Sequence, residues 1–123
     1  MKHYWLSAVM FIMSMGAVHA REPFVHVSLA KENRIVTYRL SGDGETLTLV
    51  DSVPVAGQPG ALAFHPTLPI IYAAIRSVGN LSSFRVNEST GKLTSINETT
   101  AGDDPAYLAV DQSGKFLMSA FYR

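Results

Sequence analysis

The sequence predicts an all-β fold, a β-propeller of four-stranded antiparallel blades that is incomplete at about two blades. Three observations predict it. Short runs of Val, Ile, Leu, Tyr and Phe follow one another from Phe24 onward, turn-forming residues separate these runs, and the chain repeats itself at a fixed interval. Runs and turns of this kind are typical of strands joined by hairpins, and no helical period occurs among them.

Nine runs have the composition of β-strands. They cover residues 24–30, 35–40, 47–55, 61–64, 70–75, 81–86, 93–97, 106–110 and 116–121. The segments between them include Ser-Gly-Asp-Gly at 41–44 and Ser-Thr-Gly-Lys at 89–92. Gly accepts positive φ, and Asp and Ser side chains bond to nearby backbone, so both segments favour tight turns between strands.

The repeat appears when the chain is aligned with itself without gaps. Tyr38 falls on Phe84, and the same shift of 46 residues (84 − 38) places Leu47 on Leu93. A period of this size that contains four strands is typical of one propeller blade, a sheet that is stable only when its neighbours cover its faces. The repeat therefore predicts stacked copies of one sheet.

The repeat also predicts how the chain is divided. The units are residues 24–58, 59–104 and 105–123, the last of them partial, and the first unit starts at the second strand of its blade. Residues 21–123 amount to about two units, whereas propellers close with roughly four to eight blades. We expect an amino-terminal fragment of a propeller, whose partners include the missing blades of the same chain.

The first twenty residues predict a secretory signal peptide and an exported protein, either periplasmic or secreted. Lys2 and His3 give a basic start, residues 4–20 carry no charged side chain, and Val18 and Ala20 offer small side chains before the expected cleavage point. The alternative is an uncleaved anchor, for which the uncharged stretch is short. After cleavage we expect no stable membrane anchor.

Composition excludes several classes of function. Ten Lys and Arg residues balance ten Asp and Glu residues and are scattered, so no basic surface for nucleic acid is expected. The chain contains no cysteine. Disulfide bonds, thiolate metal sites and a cysteine nucleophile are therefore excluded.

Particular segments carry a resemblance to a known family. They are Gly60-Ala-Leu-Ala-Phe-His-Pro-Thr-Leu-Pro-Ile-Ile-Tyr-Ala-Ala, Pro105-Ala-Tyr-Leu-Ala-Val-Asp-Gln-Ser-Gly-Lys-Phe-Leu-Met-Ser, and Tyr38-Arg-Leu and Phe84-Arg-Val, each followed by a polar turn and Leu-Thr. In these segments the chain resembles the seven-bladed lactonase family, which includes the bacterial 6-phosphogluconolactonases.

The resemblance implies a ring of seven blades and a hydrolase that opens a sugar lactone at the mouth of the central channel. It implies a small-molecule lactone or sugar acid as partner, no metal and no organic cofactor. It also implies that the catalytic residues lie in later blades, so none is assigned here. Two alternatives stay open: a non-catalytic exported propeller that binds a ligand or protein, and a carboxymuconate cyclase-like propeller.

Substrate-binding candidates occupy one predicted rim of the blades. The loop between the second and third strands lies on the same side as the connections between blades, which brings Arg76, Tyr122 and Arg123 together with Gln58 and Asp104. Arg76 can fork onto a phosphate or carboxylate, and Tyr122 can donate to a ligand oxygen. The alternative is an arginine paired with a neighbouring acid and a tyrosine packed between blades.

Other polar residues are interpreted as structural. His65 and its repeat partner Asp111 occupy turns on the opposite side and are expected to bond nearby backbone. His26 lies within a strand and is expected to be packed. Asp103 and Asp104 precede Pro105 and indicate an acidic turn between blades, with a carboxylate pair as the alternative. No histidine cluster for a metal is present in the sequence.

Overall fold

Antiparallel strands make up most of the computed structural model, which describes residues 23–122. The strands are β1 (Phe24–Leu29), β2 (Arg34–Leu40), β3 (Leu47–Pro54), β4 (Pro59–Phe64), β5 (Ile70–Ile75), β6 (Asn80–Val86), β7 (Leu93–Thr100), β8 (Pro105–Val110) and β9 (Leu117–Phe121). The predicted signal peptide at residues 1–20 lies outside the described residues. No helix among residues 23–122 has the length and apolar character needed to cross a bilayer.

The strands form three sheets, and in each of them strands that follow one another in the chain are paired. The first sheet has the order β1-β2-β3, the second β4-β5-β6-β7, and the third β8-β9. Strand β4 lies against β1 of the first sheet and β8 of the third, so the sheets stack through strands at corresponding positions. The predicted fold class, an incomplete propeller of four-stranded antiparallel blades, is confirmed.

The backbone repeats as closely as the sequence does. Strands β1, β2 and β3 become β5, β6 and β7 when each boundary is shifted by the length of the repeat. Even the irregularities recur: the pairing of β2 with β3 shifts between Thr37 and Tyr38, and that of β6 with β7 shifts between Ser83 and Phe84. The repeat therefore specifies local backbone geometry as well as strand spacing.

Two 3₁₀ turns were not expected from the sequence. They are Ala30–Glu32 after β1 and Arg76–Val78 after β5, and each contains three residues. Each turn ends in a left-handed residue, Asn33 with φ of 50° and Gly79 with φ of 66°. Glycine and asparagine adopt this conformation most readily among the amino acids, which explains why these two types alternate at the position.

The hydrophobic core lies between the first and second sheets. Alternate residues of β5, namely Ile71, Ala73 and Ile75, have no exposed surface and pack with Ile35 of β2 and Phe84 of β6. Successive side chains of a strand point to opposite faces, so this alternation puts one face of the second sheet on the first. Burying each large side chain contributes about 1.5–3 kcal/mol, so this core stabilises the packing of the first sheet on the second.

Polar contacts fix how these two sheets are positioned. The Ser28 hydroxyl donates to the Gly60 carbonyl oxygen at 2.6 Å, which joins β1 to β4. An Asp51 carboxylate oxygen accepts from the backbone N–H of Leu93 at 3.2 Å, which joins β3 to β7. Apolar packing is not directional, so these hydrogen bonds supply the register of one sheet on the next.

The third sheet has an exposed apolar side, here called the outer face and made up of Tyr107, Phe116 and Met118. These side chains are each more than half exposed. Tyr107 pairs with Ala120 and Met118 with Ala109, so they share one side of the sheet. The opposite side contacts the second sheet through β4 and β5. The outer face has the apolar character by which one blade covers another.

His26 is a half-buried histidine between the first two sheets. Its Nδ1 lies 2.8 Å from the Thr37 hydroxyl, and its ring centroid lies 5.9 Å from that of Phe64. The expectation of a packed histidine with a partner is confirmed. Burial lowers the pKa of His26, and the Asp51 carboxylate offsets this only in part. The folded chain therefore favours the neutral imidazole.

We predict a pH-dependent stability from His26. Its folded pKa lies below the ordinary value of about 6.5, so between these two values the unfolded chain binds more protons. The resulting stability is fully present above about pH 6.5 and is lost as pH falls through the folded pKa. Melting temperatures of the wild type and His26→Gln at about pH 8 and pH 5.5 test this. An equal fall in both proteins would contradict it.

We also predict that Gly79 is required by its backbone conformation. A Cβ at this position would lie 3.0 Å from the Asp103 carbonyl oxygen, and the positive φ strains a β-branched residue. Gly79→Val should lower the free energy of unfolding by about 1–3 kcal/mol. Gly42→Ala is the control, because nothing lies within 4 Å of its added Cβ. Denaturant titrations that give equal changes for both variants would refute the prediction.

Candidate functional site

The candidate site forms where the second 3₁₀ turn meets the connections between sheets. The backbone N–H of Arg76 donates to the Gln58 carbonyl oxygen at 2.8 Å, and the backbone N–H of Gln58 donates to the Ser77 hydroxyl at 2.9 Å. On the other side, the N–H of Ala101 donates to the Gly79 carbonyl oxygen at 2.7 Å. The turn is therefore held by both connections, and we call residues 58, 76–79, 101–104 and 122 the rim.

Arg76 and Asp104 form a bidentate ion pair on the rim. Arg76 Nε lies 2.8 Å from Asp104 Oδ1, and Nη2 lies 2.8 Å from Oδ2. The side chains are 41% and 38% exposed, so the pair contributes little to stability and acts chiefly by orienting the guanidinium. Hydrogen bonding to Arg76 lowers the pKa of Asp104, and the carboxylate raises the pKa of Arg76. Both groups therefore stay charged around neutral pH.

Tyr122 lies on the other side of the same guanidinium. The Arg76 guanidinium carbon is 5.8 Å from the centre of the Tyr122 ring, a distance at which a cation and an aromatic face attract each other. The Tyr122 side chain is 69% exposed, which leaves much of the ring accessible to a ligand. Arg76 therefore contacts both a carboxylate and an aromatic ring, and its side chain is partly exposed.

An open depression of about 340 Å³ lies beside this arrangement. The residues that matter for its chemistry are Arg76, Ser77, Thr100, Asp103 and Asp104. Asp103 accepts the backbone N–H of Asp104 at 2.8 Å, which fixes the turn that presents both carboxylates. The depression thus offers hydroxyl groups, carboxylate acceptors and a guanidinium donor within one surface.

The predicted rim residues come together as expected. Arg76, Gln58, Asp104 and Tyr122 meet at one end of the sheets, whereas Arg123 lies outside the described residues. The alternative of an arginine paired with an acid is observed for Arg76. Tyr122 is largely exposed in this chain. The alternative of a tyrosine packed between blades depends on residues outside the chain and stays open.

Ser77 was missed by sequence reasoning. Its hydroxyl accepts the N–H of Gln58 and lines the depression beside Arg76. The repeat gave no signal, because the corresponding residue of the first unit is Lys31. The sequence offered one local indication of a role for Ser77. It is a polar residue next to Arg76, and it lies in a segment that is too short to form a strand.

The residues interpreted as structural have structural roles. His65 Nδ1 accepts the backbone N–H groups of Thr67 and Leu68 at 3.2 and 3.0 Å, and an Asp111 oxygen accepts that of Phe116 at 2.9 Å. Both side chains stabilise turns, as expected. Within residues 23–122, the structure contains no group of three or more His, Cys, Asp or Glu side chains that could hold a metal ion.

Comparison with known proteins gives the family. The family profile described as "Lactonase, 7-bladed beta-propeller" matches residues 25–123. The chain is 33% identical to a 6-phosphogluconolactonase of Pectobacterium atrosepticum and 30% identical to one of Yersinia pestis, each over 98 residues. Either alignment covers 80% of this chain and 29% of the relative, so the chain spans less than a third of the length of these relatives.

A solved structure agrees with these sequence matches. A Bacteroides fragilis protein, named provisionally as a 6-phosphogluconolactonase, superposes with a TM-score of 0.72 at 23% identity. The superposition covers 80% of this chain and 28% of that protein. At this identity the likeness shows the fold, and it agrees with the stacked antiparallel sheets described above. Because the profile covers residues 25–123, the chain belongs to the seven-bladed β-propeller lactonase family.

Proposed function

We propose that the protein is an exported lactonase that hydrolyses a sugar lactone, and that this chain supplies its first blades and part of the substrate cleft. The observation that carries the proposal is the rim cluster of Arg76, Asp104 and Tyr122 beside an open depression in a member of the lactonase family. Export is supported by the signal-like pattern of residues 1–20.

Lactone hydrolysis defines what the complete cleft must supply. A water molecule adds to the carbonyl carbon, the carbonyl oxygen becomes an oxyanion, and the ring C–O bond then breaks as its oxygen takes up a proton. The reaction needs a base near the water and hydrogen-bond donors for the oxyanion. The rim offers donors, and hydrogen bonding to Arg76 lowers the pKa of Asp104, which makes this carboxylate a weaker base. We expect the base in the later blades, as the family resemblance implies.

The rim residues have complementary parts in this scheme. Arg76 has five N–H groups, and Asp104 accepts from Nε and Nη2. The remaining N–H groups can donate to oxygens of the lactone, while the Tyr122 hydroxyl can donate to a further oxygen. Asp104 acts as a positioning residue, because it holds the guanidinium in one plane. Less side-chain entropy is then lost when the substrate binds.

We predict that Arg76→Ala weakens lactone hydrolysis by the purified protein. Loss of a charged hydrogen bond worth about 1.5–3 kcal/mol corresponds to a fall in kcat/KM of roughly 10- to 100-fold. The control is Arg85→Ala, since Arg85 is exposed and lies at the opposite end of β6. The measurement is initial rate against concentration for δ-gluconolactone and its 6-phosphate.

Two outcomes would contradict the proposal. If the wild type hydrolyses neither compound faster than it opens spontaneously, the protein is not a sugar lactonase, and the non-catalytic binding propeller becomes the better interpretation. If Arg76→Ala and Arg85→Ala have equal kcat/KM values, the rim described here does not contact the substrate.

A further inference from the structure

We propose that the rim selects an uncharged sugar lactone, so that the preferred substrate carries no phosphate. This inference rests on the proposed function and deepens it. The curated relatives are named for a phosphorylated lactone. On the rim of this chain, Asp104 already balances the charge of Arg76, and Asp103 adds a second carboxylate.

The geometry of Arg76 is the first support. Arginine recognises phosphate best when two parallel N–H groups face two phosphate oxygens. In Arg76 the pair formed by Nε and Nη2 already faces the two oxygens of Asp104, both at 2.8 Å. The pair formed by Nη1 and Nη2 is left for a ligand, but a phosphate there would meet a guanidinium whose charge Asp104 already balances.

The charge of the depression is the second support. Of the residues that line it, only Arg76, Asp103 and Asp104 are charged, so one cation faces two carboxylates and the net charge is −1. A phosphate monoester carries about −1.5 to −2 near neutral pH. Like charges within a few ångströms repel, so the depression disfavours a phosphate where it favours a neutral ligand.

The same groups suit a polyhydroxylated ring. Carboxylate oxygens of Asp103 and Asp104 can accept hydroxyl protons, the remaining Arg76 N–H groups can donate to hydroxyl or ring oxygens, and the Thr100 hydroxyl can do either. The Tyr122 ring offers an exposed apolar surface against which the C–H side of a sugar ring can pack. These donors and acceptors and the apolar ring surface match the hydroxyl groups and the C–H side of an unphosphorylated lactone, and no further negative charge is added to the depression.

The first unit offers the competing position for a phosphate. Its 3₁₀ turn carries Lys31 at the position that corresponds to Ser77, and Glu32 beside it lies 3.7 Å from Arg34. A phosphate that reached Lys31 would bind at the edge of the first blade and leave the second blade uninvolved. Phosphate binding at Lys31 would therefore contradict the inference.

The experiment compares kcat/KM of the full-length protein for δ-gluconolactone and 6-phospho-δ-gluconolactone. We expect a preference of about tenfold or more for the unphosphorylated compound. Equal values, or a preference for the phosphorylated compound, would overturn the inference and leave the proposed function intact. Hydrolysis of neither compound would refute the proposed function itself, so the two failures are distinguishable.

Three variants test the physical cause. Asp104→Asn removes one charge and releases the Arg76 fork, so kcat/KM for the phosphorylated compound should rise about tenfold relative to that for the other. Asp103→Asn is the matched variant: it removes the same charge but leaves the fork engaged, and its effect should be smaller. No rise in either variant would overturn the inference.

Lys31→Gln is the third variant, and it tests independently whether a phosphate binds at the first blade. We expect the ratio of the two kcat/KM values to be the same as in the wild type. A selective loss of activity on the phosphorylated compound would show that a phosphate binds at the first blade, which would overturn the inference. Circular dichroism spectra of the variants confirm that changes in rate do not come from unfolding.

Discussion

The structure depends on the requirement that each sheet be covered on both sides. Ile71, Ala73 and Ile75 are removed from solvent only because Ile35 of the preceding sheet lies against them. A four-stranded sheet has too little apolar interior to be stable alone, so its stability comes from its neighbours. The sheets stack in the same orientation, so the connections between them collect at one end. The rim is a consequence of that stacking.

The rim has a different physical character from the core. The Arg76–Asp104 pair is partly exposed and contributes little to stability, yet its two short hydrogen bonds fix the plane and direction of the guanidinium. The Tyr122 ring contacts the same group. A site with these properties is ordered without being buried, which suits a surface that exchanges water for a polar ligand.

The sequence predicted the repeated part of the structure and the membership of the rim. Strand spacing follows from turn residues and from the alignment of Tyr38 with Phe84, because each repeat must present the same faces to its neighbours. The ends of strands were less predictable: β9 begins at Leu117, one residue after the start of the run predicted at residues 116–121. The 3₁₀ turns could not be predicted, because each has three residues and so short a segment shows no periodic pattern of apolar side chains.

Within the site, the repeat predicted which residues lie at the same end of the sheets, because equivalent positions occupy equivalent loops. Arg76 is equivalent to Tyr122, and Gln58 is equivalent to Asp104. The repeat left open whether Arg76 is engaged by an acid. That question depends on the side-chain conformation of one arginine and one aspartate, and several conformations fit the same sequence. The three-dimensional structure resolves it in favour of the bidentate pair with Asp104.

The outer face of the third sheet has a consequence during synthesis. A ribosome adds roughly 5–20 residues per second, so about 46 residues separate the completion of one blade from that of the next by several seconds. Throughout that interval a nascent blade presents side chains such as Phe116 and Met118 to water. Exposed apolar side chains favour association, so during synthesis the outer face is a surface on which a neighbouring sheet or another nascent chain can pack.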